Sequence, residues 1–118
     1  MPKIYHLSTC TTCKKIIAAL NNGEGFELQD IKTKNVTAEQ LDAMKAVIGS
    51  YEGLFSRRAM KFRSMGLADK TLTEADYRKL ILEEYTFLKR PVVVVGDQVF
   101  AGSSKKNIEG ALAALHNQ

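Results

Sequence analysis

The sequence predicts an α/β domain built on one mixed four-stranded sheet, with a helical block set into the middle of the chain. Three observations carry that prediction. A strand–helix–strand unit opens the chain, two short strands joined by a tight turn follow residue 90, and the stretch between, about residues 37–88, has helical periodicity. The 118 residues fit one domain, because at this length a single core buries most of its apolar surface without disulfides or metals. Hydrophobic residues make up 45% and charged residues 25%, an ordinary globular balance that excludes a disordered chain.

Lys3 to Leu7, KIYHL, reads as a short strand. CKKIIAALNN continues as a helix with Ile16, Ile17 and Leu20 on one face and Asn22-Gly23 as its stop. GFELQDI, residues 25–31, alternates Phe26, Leu28 and, more loosely, Asp30 against polar neighbours, as a second strand does. A crossover of this length makes the two strands parallel and the connection right-handed. Thr37 and Gln40 form a capping box ahead of Leu41, Met44, Val47 and Ile48, and Gly49 closes that helix. Thr73 opens another, carrying Tyr77, Leu80, Ile81 and Glu84. Pro91 leads VVVV at 92–95, Gly96-Asp97 makes a turn, and QVFA returns antiparallel. A last helix starts near Ser103 or Ser104 and runs through Ile108, Leu112 and Leu115. The apolar stripes are read as core. This order is the layout of a thioredoxin-like domain of the glutaredoxin type, residues 1–118, with a helical insertion.

The net charge is +4, from 17 Lys and Arg against 13 Asp and Glu. Its densest cluster is RRAMKFR, with Arg57, Arg58, Lys61 and Arg63. With no nucleic-acid motif beside it, this reads as a solvated helix face or a small-anion site, and no direct nucleic-acid partner is expected. MPKIYHL has no apolar region behind a basic start, and no run approaches the roughly 20 apolar residues that cross a bilayer. A cytoplasmic protein without membrane attachment is expected, and in that compartment close cysteines are more often catalytic or redox-sensing than structural.

The chain's two cysteines lie in STCTTCKK, residues 8–15, where strand turns into helix. A thiolate at a helix start faces free N–H groups and the positive end of the helix dipole, so its pKa falls. Lys14 and Lys15 add to this if they turn towards the sulfur. Cys10 is then the nucleophile, and Cys13, one turn deeper, the resolving thiol. Zinc needs about four ligands, and beyond this pair only His6 and His116 remain, near opposite ends of the chain. No metal site is expected, and His6 is read as a strand residue without a role. Two inert buried thiols remain an alternative.

FLKRPVVVVGDQVFAG, residues 87–102, taken with YHLSTCTTCKK, resembles the arsenate reductase (ArsC)/Spx family. The resemblance extends over essentially the whole chain, SRRAMKFRSMGL included. It implies a cis Pro91 beside the active cysteine and Arg90 in an anion pocket, with Thr11, Thr12, Arg57, Arg58 and Pro91 as substrate contacts. The residues agree: proline entering a central strand is tolerated at its first position, and a guanidinium fork suits an oxyanion. Two departures stand out. Glutaredoxin-linked arsenate reductases carry one cysteine in this loop, and an arginine where this chain has Gly102. Both features resemble the Spx branch, whose proteins sense thiol oxidation and bind RNA polymerase. The implied function is a thiol-dependent oxidoreductase acting on an oxyanion or a disulfide such as a glutathione adduct. It would form a Cys10–Cys13 disulfide and be restored by an external thiol, glutathione, glutaredoxin or thioredoxin, with no bound cofactor. An Spx-like switch on RNA polymerase and a redox-inert scaffold are the alternatives.

Overall fold

The computed structural model describes residues 2–116. The chain divides into two compact units, one made of the residues up to 34 together with those from 90 onward, the other of Asn35–Lys89.

The first unit is the sheet. Its strands are β1 (Lys3–His6), β2 (Glu27–Asp30), β3 (Val92–Val95) and β4 (Gln98–Ala101), in the order β2-β1-β3-β4. β1 runs parallel to β2 and antiparallel to β3, and β3 pairs antiparallel with β4, so the sheet is mixed as expected. Helices α1 (Thr11–Ala19) and α5 (Lys105–His116) belong to the same unit. One face of the sheet presents Ile4, Val93 and Val95 to a core shared with Ile16, Leu20, Phe26, Ala111 and Ala114. The stripe read for the last helix is displaced: Ala111 and Ala114 are buried, while Ile108, Leu112 and Leu115 are only partly so. Small residues let α5 come close to the sheet. At Gly110 an added Cβ would lie 2.7 Å from the Phe100 ring, which shows how close.

The second strand also departs from its expected pattern. Leu28 is 47% exposed and the buried residue is Gln29, whose side-chain amide donates to the Lys34 carbonyl at 2.9 Å. β2 lies at a sheet edge, where an apolar residue is only half covered, and Phe26 enters the core from the turn before the strand. α1 ends where the Asn-Gly signal placed it. Asn21 and Asn22 take left-handed φ values of 58° and 54°, which asparagine tolerates better than most residues.

The second unit is helical: α2 (Ala38–Ile48), α3 (Met60–Ser64) and α4 (Glu74–Glu83), with 3-10 turns at Glu52–Leu54, Leu67–Asp69 and Tyr85–Phe87. Capping boxes start α2 at Thr37 with Gln40 and α4 at Thr73 with Asp76, and Gly49 ends α2 at φ 103°. Leu41 and Met44 are buried, whereas Val47, read as core, is 49% exposed at the last turn of α2. The core gathers around Phe55, whose ring lies 4.9 Å from Tyr77, 5.0 Å from Phe87 and 6.0 Å from Phe62. Among the described residues no helix is long and apolar enough to cross a membrane.

Candidate active site

Sheet topology brings the two sequence motifs together. β1 leads out at His6 into the loop that carries Cys10, and its antiparallel neighbour β3 begins at Val92, opposite Tyr5. The residues just before β3, Arg90 and Pro91, therefore stand beside the cysteine loop. The Arg90–Pro91 bond is cis, in agreement with the family resemblance. Pro91 is buried, and its carbonyl accepts the Gly102 N–H at 2.9 Å, which ties the start of β3 to the end of β4. Gly102 has φ 105°, a backbone state that strains any L side chain, so the position suits the glycine found there.

Cys10 is the N-cap residue of α1, with extended backbone, and its side chain makes no capping hydrogen bond. The loop is closed by its N–H, which donates to the Leu7 carbonyl at 2.9 Å. Cys10 is partly exposed and Cys13 is fully buried, and both are free thiols. Their ionisation is pushed in opposite directions. Burial opposes the Cys10 thiolate, but the backbone N–H and thiol of Cys13, the Arg90 charge and the Thr12 N–H together outweigh it, and the pKa falls. Burial is also the main influence on Cys13, joined by its bond to Cys10 and by that neighbour's charge, and its pKa is pushed up to about 11. The two effects are one arrangement: Cys13 lowers the Cys10 pKa while Cys10 raises that of Cys13. Lys14 and Lys15 are exposed, and the cation that lowers Cys10 is Arg90.

Thr11 and Thr12 lie exposed on the first turn of α1, next to Cys10. Arg57 and Arg58 belong to the helical unit. There the Arg57 guanidinium donates to Glu52 at 2.7 Å and to the Tyr77 hydroxyl at 2.9 Å, while Arg58 is exposed. Asp30, outside the set chosen from sequence, ends β2 opposite His6, and Ser8 in the cysteine loop is the main influence that lowers its pKa. A parallel pairing that sets β2's last residue against β1's last was the available clue. Among the described residues no group of three or more His, Cys, Asp or Glu side chains is placed to hold a metal ion.

A family model described as the ArsC family matches residues 5–111. The chain belongs to the ArsC family. An arsenate reductase of Haemophilus influenzae is 27% identical over 109 residues, covering 89% of this chain and 93% of that protein. Among solved structures, the YffB protein superposes with a TM-score of 0.81 at 24% identity, covering 95% of this chain and 99% of its own. Arsenate reductase from Vibrio cholerae superposes at 0.78 with 19% identity and 96% coverage of each chain. At those identities the structures establish the thioredoxin-like ArsC fold.

Proposed function

We propose that this ArsC-family chain is a thiol-dependent oxidoreductase in which Cys10 attacks and Cys13 resolves. The observation that carries the reading is the placement of the pair: a partly exposed Cys10 at the start of α1, whose pKa is lowered despite burial, and a fully buried Cys13 one turn in, whose pKa burial raises. Membership in a family with a reductase relative supports it.

With a disulfide substrate, such as a glutathione adduct, the Cys10 thiolate attacks one sulfur and the other leaves as thiolate. With arsenate, the same sulfur bonds to arsenic and one hydroxyl oxygen, taking a proton from the medium, leaves as water. Arg90 offsets negative charge on either adduct. Cys13, after losing its proton, then attacks the Cys10 sulfur. The bond to the substrate breaks and its electron pair leaves with the substrate, as a second thiolate or as arsenite. The product is a Cys10–Cys13 disulfide, which an external thiol such as glutathione, glutaredoxin or thioredoxin reduces.

The order of steps follows from the charges. While Cys10 is a thiolate, its bond and its charge help to hold the Cys13 proton. Once Cys10 is bonded to substrate both influences vanish, leaving burial as the main restraint. Cys13 becomes a nucleophile only after Cys10 has reacted.

The test is turnover of arsenate and of a glutathione mixed disulfide with each donor, in wild type and in Cys13→Ser. The expected result is that Cys13→Ser still forms a trapped Cys10 adduct, visible by mass, while turnover without added monothiol is lost. Wild type that turns over neither substrate with any donor overturns the reading. Polymerase capture that depends on oxidation, with no turnover, replaces it with the regulatory alternative.

A further inference from the structure

Residues 57–70 hold five cations and one acid, against twelve of each in the rest of the chain, so the whole excess of +4 sits here. Two of the five are answered inside the helical unit, Arg57 by Glu52 and Lys61 by Glu84. Arg58 and Arg63 are exposed, and among the described residues neither has an ion-pair partner. The same stretch holds two of the four large apolar side chains that stand exposed among the described residues, Met65 at 45% and Met60 at 88%. The other three are about half covered, whereas Met60 is almost bare.

The inner side of α3 holds it to the unit. Ala59, its N-cap, is buried, and the Phe62 ring packs edge-on against Phe55. Positions two apart point to opposite sides of a helix and positions three apart to the same side. Met60 and Arg63 therefore share the outer side, with Cβ atoms about 5–6 Å apart, and Arg58 lies in the turn just before Met60. An uncovered methionine is flanked along the chain by two unmatched guanidinium groups.

We propose that the outer side of α3 is a docking face for an acidic protein segment with one apolar anchor: the anchor covers Met60, and its carboxylates meet Arg58 and Arg63. Methionine and arginine are enriched at protein interfaces, the first because its unbranched, polarisable chain adapts to what covers it. Charge complementarity fixes the sign of the partner, since a cationic face without internal acids speeds encounter with acidic surfaces and repels basic ones. A nucleic acid would match the arginines but leave Met60 uncovered, and no aromatic ring stands on this side to stack a base. An anionic membrane is a poorer match, because α3 has five residues and a helix that lies in a bilayer surface presents a longer apolar face. The proposal goes beyond the oxidoreductase reading and does not depend on it.

The experiment follows the methionine methyl signals by NMR in the full chain labelled with 13C-methyl methionine. The probes are a short peptide of glutamates around a single leucine, a glutamate-only peptide of the same length, an oligothymidylate, and vesicles containing phosphatidylglycerol. The leucine peptide is expected to shift the Met60 methyl, assigned by Met60→Leu, and to leave that of the buried Met44 in place. Arg58→Glu with Arg63→Glu should weaken its binding about tenfold or more, and added salt should weaken it in wild type. Lys105→Glu with Lys106→Glu, a reversal of equal charge on exposed residues of α5, should change it little. Since all four positions are exposed, both double variants are expected to keep the Met44 signal of the folded chain; should the first not, Arg63→Ala alone, with a smaller loss expected, replaces it. An unmoved Met60 methyl overturns the proposal, as does equal weakening by the two double variants, which makes overall charge the cause. Equal binding of the glutamate-only peptide removes the anchor and overturns it too. A stronger Met60 response to oligothymidylate or to vesicles replaces the acidic segment with a nucleic acid or a membrane, and a shift on concentrating the protein alone replaces it with a second copy.

Discussion

The helical unit and the sheet unit use charge differently. In the helical unit cations are matched to carboxylates that hold neighbouring segments: Arg57 with Glu52, Lys61 with Glu84 at 2.6 Å, and Arg78 with Asp42 at 2.9 Å. In the sheet unit Arg90 stands where its charge bears on two thiols. The basic run RRAMKFR is the most conspicuous charge in the sequence, yet two of its members are engaged with carboxylates of their own unit. A single arginine beside a proline bears on the cysteine pair. Density of charge is therefore a poor guide to a site, because an exposed pair holds segments in register at modest gain, while one cation beside a thiol changes what that thiol can do.

The sharpest way to break this comparison is to remove the thiol that the sheet unit serves. Cys10→Ser is expected to lower turnover by about a thousandfold or more while leaving the fold intact, since an alcohol at this position is not ionised near neutral pH. Retained turnover places the chemistry elsewhere. The corresponding blow to the helical unit is Phe55→Ala, which empties the space among Tyr77, Phe87 and Phe62. A loss of about 3–5 kcal/mol is expected in denaturant unfolding, as for other buried aromatics. A loss below about 1 kcal/mol would mean that the site collapses easily and that the aromatic cluster is not the unit's core.

Next in size is Arg90 itself. Arg90→Ala is expected to slow Cys10 alkylation about threefold or more at neutral pH, by withdrawing a charge that favours the thiolate. Arg90→Lys should recover part of the loss as a point charge. Lys14→Ala serves as the contrast, because that side chain is exposed and the cation acting on Cys10 is Arg90. Equal effects from Arg90 and Lys14 would remove the distinction between a placed cation and a solvated one. The pH profile carries the same signature: the attack step gains rate from below the ordinary thiol range upward, whereas resolution by Cys13, pushed up to about 11 in the resting pair, keeps gaining as the medium becomes more alkaline.

What was legible in the sequence follows the same division. Periodicity and punctuation located all four strands, the capping box at Thr37 and the end of α1, because caps and turns are local events written in a few adjacent residues. The strand–C-x-x-C–helix context located the pair, and Arg-Pro the residue that faces it. Less legible was anything decided by who covers whom. Leu28 and Val47 look like core in a pattern but lie at a sheet edge and a helix end, and α5 buries its alanines where its larger residues seemed to claim the core. Asp30 was hidden for the same reason: it comes beside His6, 24 positions earlier in sequence, only through strand register.

The smallest expected effect lies in the helical unit's exposed network, and its sign is fixed by pKa. Asp42 accepts from Arg78 at 2.9 and 3.1 Å and from the Tyr51 hydroxyl at 2.5 Å, and these partners, Arg78 foremost, bring its carboxyl down to about 2. A carboxyl lowered in the folded state releases its proton more readily there than in the unfolded chain. Its contribution is therefore complete above the ordinary aspartate range and fades as pH falls towards 2. Asp42→Asn keeps an acceptor but cannot ionise. Thermal melts of wild type and Asp42→Asn should differ slightly at pH 7, by the same amount at pH 5, and converge as the pH approaches 2. Added salt should narrow the gap at the higher pH values, since the network is open to solvent. Melts that stay parallel down to pH 2 would show that Asp42 contributes through its hydrogen bonds rather than its charge, and the contrast with Arg90 would then rest on the sheet unit alone.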